Sequence, residues 1–176
     1  KPSNVMVDDE SSTPVLMDFG LAKNVAEQDN QLTQSGQIMG TPAYMAPEQA
    51  SGKIELVGKL SDVYSLGAVL YELLTGQVPF DGDDPFAIAI RHMTEEPRSP
   101  RELRSDLPEP VEMVVLRALA KQPADRFASA GEMARAYRLA LEAATRGQRE
   151  TVPRKQQERP AARSTKVTRA SSEGDK

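Results

Sequence analysis

The sequence predicts an α+β fold that is almost wholly helical after a short β-hairpin at its start and that ends in a disordered, basic tail. Three observations lead there. Two short apolar runs flank a polar turn near the beginning, apolar residues then recur at helical spacing, and composition changes sharply near Arg146.

The hairpin is expected from residues 4–7 and 14–17, which flank the turn-like Asp8-Asp9-Glu10-Ser11-Ser12. A polar, glycine-containing segment follows, too long to be a simple connection, and loops of that length are usually functional or disordered. Ser61-Asp62 reads as a helix start. Behind it Val63, Leu66, Leu70 and Leu73 stand at helical spacing, with Val69 and Leu74 widening the apolar surface, so this helix should be buried and central. A second helix is expected over residues 84–94 with Phe86, Ile88 and Ile90 as its apolar residues and His92 at the surface, before a loop marked by Pro97, Pro100, Pro108 and Pro110. Val111, Val114, Val115, Ala118 and Leu119 then form an amphipathic repeat that ends before Pro123. A last helix over residues 129–144 should turn Met133, Tyr137, Leu141 and Ala144 inward.

Residues 1–145 hold 13 basic and 22 acidic side chains, whereas residues 146–176 hold 9 basic and 4 acidic, so an acidic domain precedes a basic tail. The tail is nearly devoid of apolar residues and cannot bury enough surface to offset the entropy of ordering. It reads as a solvated linker, with a tether, a docking or phosphorylation segment, and a stretch lying near anionic lipid as alternatives. The domain division is therefore 1–145 and 146–176. With no cysteine, disulfides and thiolate metal sites are excluded, and the single histidine leaves little for a His-rich metal site. No run approaches the length of a membrane span and no signal peptide is visible, which predicts a cytoplasmic chain. The tail has no aromatic side chain for base stacking and the domain is acidic, so nucleic-acid binding is not expected.

Four segments carry the chemistry: Lys1-Pro2-Ser3-Asn4, Val15-Leu16-Met17-Asp18-Phe19-Gly20, Gly40-Thr41-Pro42-Ala43-Tyr44-Met45-Ala46-Pro47-Glu48 and Ser61-Asp62-Val63-Tyr64-Ser65-Leu66-Gly67. Taken singly each has a plain structural reading. Asp-Phe-Gly is an ordinary strand end and turn, and Lys-Pro-x-Asn an ordinary turn. In this order and at these distances they resemble the latter half of a protein kinase domain, closest to the eukaryotic-type serine/threonine kinases of bacteria. The resemblance covers residues 1–144 and begins inside the family's catalytic loop.

That resemblance implies the C-terminal lobe of a kinase fold and a parent that transfers the γ-phosphate of ATP to Ser or Thr hydroxyls of proteins, with Mg²⁺ as cofactor. Asn4 and Asp18 match the family's metal ligands, hard oxygen donors of the kind Mg²⁺ prefers. Lys1 matches the lysine that touches the phosphate in transfer, and Lys1, Asn4 and Asp18 together the nucleotide-binding set. Thr41 matches the threonine of the substrate-docking loop, which bonds the catalytic aspartate and lysine. Thr33 and Ser35 sit where such kinases are switched by phosphorylation, a reaction between two copies in a dimer, although solvated loop hydroxyls is the simpler reading. Glu48 is implied to pair with Arg126 in a buried ion pair, and Asp62 to cap the catalytic loop from the start of the central helix.

The family's catalytic aspartate would stand two positions before Lys1, and the glycine-rich loop, the strand lysine and the helix packing beside the central helix would also lie upstream. The chain by itself is therefore expected to be inactive, with part of the central helix uncovered and the fragment prone to association. A non-catalytic pseudokinase or scaffold that binds a partner through the 85–93 helix or the long loop is the alternative. The parent is expected to be cytoplasmic, with a membrane anchor beyond the tail as the alternative.

Overall fold

The computed structural model of the chain describes residues 1–17 and 41–150. Strands β1 (Val5–Val7) and β2 (Pro14–Leu16) pair antiparallel, Val5 opposite Leu16 and Val7 opposite Pro14. Asp8 closes the turn between them. Its Oδ1 accepts the Ser11 main-chain N–H at 2.7 Å, the Ser11 hydroxyl at 2.7 Å and the Glu10 N–H at 3.2 Å, satisfying donors that no strand reaches.

The remainder is helical: α1 (Pro47–Ala50), α2 (Lys59–Thr75), α3 (Pro85–Thr94), α4 (Pro100–Leu103), α5 (Glu109–Ala118) and α6 (Ala130–Glu150). Helix α2 starts earlier than its Ser61-Asp62 signal suggests. Gly58 caps it, donating its N–H to Ser61 Oγ at 3.1 Å, so Asp62 falls inside the first turn, where a carboxylate complements the helix dipole. The helix stops at Gly76, whose φ of +76° is the left-handed conformation that commonly ends a helix.

Two apolar faces of α2 organise the core. On one, Val63 packs with Leu107, with Val111, Val114 and Ala118 of α5, and with Phe127 and Met133 and Ala140 of α6. On the other, Tyr64, Ala68 and Tyr71 pack with Ala46, Val115 and Leu119. Gly67 lies between the two faces where α5 crosses: a Cβ there would sit 2.7 Å from Ala118 Cβ, closer than carbon atoms approach. Leu66 and Leu73, expected to point inward, share a third face and are 42% and 70% exposed.

Further expectations change. In α3 the inward residues are Ile88, Ala89 and His92, while Phe86 and Ile90 are each 53% exposed. The alternation Phe86, Ile88, Ile90 has the period of a strand, and the helix turns only one of the three inward. His92 is not a surface residue but fully buried. The proline-marked loop contains α4, held by the buried Glu112 carboxylate, which accepts the Ser99 hydroxyl and, at 3.1 Å, the Arg101 N–H. Helix α6 runs to Glu150, past the expected end near residue 144, so residues 146–150 of the tail read as disordered are helical instead, and residues 151–176 lie outside the described residues. Its inward residues are Met133, Ala136, Tyr137 and Ala140; Leu141 is exposed. No helix among the described residues is long and apolar enough to cross a membrane.

Candidate functional site

The first turn and the hairpin bring two of the four sequence segments together. Pro2–Asn4 is a single 3-10 turn, closed by the Asn4 N–H donating to the Lys1 carbonyl at 3.0 Å. The Asn4 carbonyl in turn accepts the Met17 N–H at 2.7 Å. This bond sets Asn4 beside the residue that directly precedes Asp18. Asp18 itself, with Thr33 and Ser35, lies outside the described residues. By their chemistry the side chains of Asn4 and Asp18 are hard oxygen donors of the kind Mg²⁺ takes.

The segment from Thr41 is anchored by α2. Thr41 precedes a 3-10 turn over Pro42–Tyr44. The Tyr44 hydroxyl donates to Glu72 Oε2 at 2.7 Å, and the Tyr44 carbonyl accepts the Ser65 hydroxyl at 2.7 Å. Burial and the neighbouring Glu72 carboxylate push the Tyr44 phenol up to about 12, so it remains a neutral donor at physiological pH. Thr41 is exposed, and among the described residues no hydrogen bond joins it to Lys1.

Glu48 and Arg126 meet in the interior. Arg126 Nη1 and Nη2 donate to Glu48 Oε1 and Oε2, each at 2.8 Å, with the two side chains 0% and 2% exposed. Ser61 Oγ adds a third donor to Glu48 at 2.6 Å. The remaining guanidinium hydrogens go to the carbonyls of Leu60 at 2.8 Å, Ala120 at 2.8 Å and Lys121 at 3.1 Å. Such saturation is what makes a buried pair tolerable. Burial alone would raise the Glu48 carboxyl, but the bonds from Arg126 and Ser61 outweigh it and hold the group below the usual carboxylate range. The pair pins α1 to the start of α2 and to the stretch ahead of α6. Asp62 is exposed, and among the described residues its side chain makes no hydrogen bond.

Three participants escaped the sequence reading. Glu72 and Ser65 sit in α2 at polar positions of an otherwise apolar helix, which signals a buried or bridging partner only once Tyr44 is known to lie opposite. His92 stands 28 residues from its partner Tyr64, whose hydroxyl is 2.8 Å from Nδ1. Burial and the nearby Lys121 ammonium lower the His92 pKa to about 4, leaving the ring neutral.

A helical lobe built on a central α2, a hairpin flanked by the Asn4–Met17 bond, and a buried Glu–Arg pair tying α1 down together describe the C-terminal lobe of a protein kinase. The chain belongs to that family: the family model described as protein kinase domain matches residues 1–137. Over 133 residues it is 47% identical to the serine/threonine-protein kinase PknB of Mycolicibacterium smegmatis, and 45% identical to PknB of Mycobacterium tuberculosis, in each case over 76% of this chain and 21% of the relative. It is 46% identical over 138 residues to a probable serine/threonine-protein kinase of Corynebacterium efficiens, over 76% of this chain and 20% of that protein. The chain thus spans about a fifth of the length of these curated relatives.

Proposed function

We propose that this chain is the C-terminal lobe of a serine/threonine protein kinase that transfers the γ-phosphate of ATP to hydroxyls of protein substrates, and that the transfer requires residues upstream of Lys1. The observation that supports the reading is the main-chain hydrogen bond between Asn4 and Met17 at 2.7 Å, which holds Asn4 next to the residue that precedes Asp18 in sequence. Asn4 and Asp18 would hold Mg²⁺, which supplies charge neutralisation on the phosphates. Lys1 would contribute a point charge to the phosphate in transfer. The segment from Thr41 to Tyr44 would receive the peptide around the acceptor hydroxyl, with Tyr44 held rigid by Ser65 and Glu72. Rigid placement matters because phosphoryl transfer is catalysed mainly by positioning and electrostatics.

The relatives are named serine/threonine kinases, which supports the choice of hydroxyl acceptor. Phosphorylation of Thr33 and Ser35 by a second copy, a cytoplasmic location for this lobe and a linker role for residues 151–176 belong to the same proposal. The second reading, a non-catalytic scaffold, draws on Phe86 and Ile90, which leave an apolar strip open on α3.

Transfer of labelled phosphate from ATP to a basic protein substrate by the full-length protein separates the two. The kinase reading expects turnover that Asp18→Asn and Asn4→Ala abolish while the fold stays intact by circular dichroism. Wild-type turnover in either variant overturns the metal assignment, and absence of transfer in the wild-type protein favours the scaffold.

A further inference from the structure

A cleft of about 210 Å³ opens between α1, the 3-10 turn over Ile54–Leu56, α3 and the stretch that follows α5. Pro47, Leu56, Met93 and Pro123 give it an apolar wall, and Leu56 is left 48% exposed there. Lys53 and Lys121 line the same cleft and bring it two positive charges.

Those charges are not balanced locally. Glu48 also borders the cleft, but both of its carboxylate oxygens are committed to Arg126 and one of them to Ser61 as well. Among the described residues neither lysine has a carboxylate at ion-pairing distance, although residues 1–145 hold 22 acidic side chains against 13 basic ones. Lys121 Nζ instead donates to the His92 carbonyl at 3.0 Å and stands 4.6 Å from the centroid of the Phe80 ring. These contacts place the ammonium yet use, among the described residues, one of its three donors. Desolvation lowers its pKa to about 8; Glu96 and Glu95 act against that lowering and Arg126 adds to it. The charge is thus held in position without being neutralised.

Size and chemistry select the occupant. Sites for whole small molecules run to about 300–1,000 Å³, so this cleft has room for one apolar side chain rather than a cofactor. A carboxylate beside that side chain would meet a lysine in a charge-assisted hydrogen bond. We propose that the cleft is a docking site for an acidic segment of a protein partner, which seats one apolar side chain against Leu56 and Met93 and sets flanking carboxylates on Lys53 and Lys121. The geometry does not depend on the kinase reading. In a kinase, such docking raises the effective concentration of the partner at the transfer site, and in a scaffold it is the binding function itself.

Fluorescence anisotropy of the full-length protein tests it, with a labelled peptide that carries a leucine between two pairs of glutamates. Lys53→Met and Lys121→Met should each weaken binding about two- to fivefold, and binding should fall as salt is raised. Peptides with glutamines for the glutamates, or with serine for the leucine, should bind at least about fivefold more weakly. A wild-type protein that binds no peptide, or binds the glutamate and glutamine versions alike, overturns the proposal, as do lysine variants that bind like wild type. Methionine keeps the apolar stem of lysine; should Lys121→Met still fail to fold, Lys53→Glu on its exposed side chain decides, loss of binding supporting the proposal and wild-type binding overturning it. Tighter binding of octanoate than of the peptide makes the cleft a small-molecule site. Self-association in sedimentation velocity that Lys53→Glu abolishes makes a second copy the occupant, and either result overturns the assignment to a partner peptide. Absence of phosphate transfer by the wild-type protein would sink the kinase reading and leave the binding measurement to decide the cleft.

Discussion

Glu48 and Arg126 lie 78 residues apart in sequence and face each other through two parallel 2.8 Å hydrogen bonds in the interior. Replacing either by alanine strands the other charge in a buried site and should cost about 3–5 kcal/mol. The double replacement leaves no orphan charge and should cost clearly less than the two singles added together. Urea denaturation of the four proteins measures the cycle. Additivity within about half a kcal/mol would mean that the pair is not coupled. Acid adds a second check, because the Glu48 carboxyl is held below its usual range: its contribution is present above the ordinary carboxylate pKa of about 4 and is lost as pH falls through the depressed value.

His92 gives stability a different pH window. Its folded pKa of about 4 lies below the ordinary value near 6.5, so between the two the unfolded chain binds a proton that the folded chain refuses. Stability should therefore be full above about pH 6.5 and decline toward pH 4, by roughly 3 kcal/mol for a shift of this size. His92→Gln should flatten that part of the profile. Equal slopes for wild type and variant between pH 6.5 and 4.5 would show that the ring is already accessible to protons.

Gly67 and Ala118 set the distance between α2 and α5. Gly67→Ala places a methyl 2.7 Å from Ala118 Cβ, and overpacking of this sort costs about 1–3 kcal/mol. Ala118→Gly in the same protein removes the opposing methyl and should recover much of the loss. Thermal melting of the two variants and their combination tests this, and an additive double variant would mean that the helices do not meet there.

Thr33 and Ser35 are expected to carry phosphate in the active full-length protein, with Thr33 the principal site, whereas Thr41 is expected to remain unmodified. Intact-protein and peptide mass spectrometry checks both statements. An unmodified 18–40 segment in fully active enzyme, or full activity of the Thr33→Ala, Ser35→Ala double variant, would count against regulation through these hydroxyls.

The sequence by itself determined the elements whose signals are local. Turn chemistry at Asp8 and the 3.6-residue apolar repeat of Val111 to Leu119 act within a few residues, so the hairpin and α5 were legible without a partner. The four motifs placed the chain in its family because their joint order is improbable by accident. Tertiary structure alone decided which apolar residues are covered and which polar ones are paired. Leu66 and Leu73 match the helical repeat as well as Val63 does, yet burial requires something opposite, and only Val63 has it. His92 looks like a surface residue in sequence, but the Tyr64 hydroxyl across the core makes its burial possible. Hydrogen-bond partners 28 and 78 residues apart leave no periodic trace, because the free energy that joins them depends on the fold bringing them together.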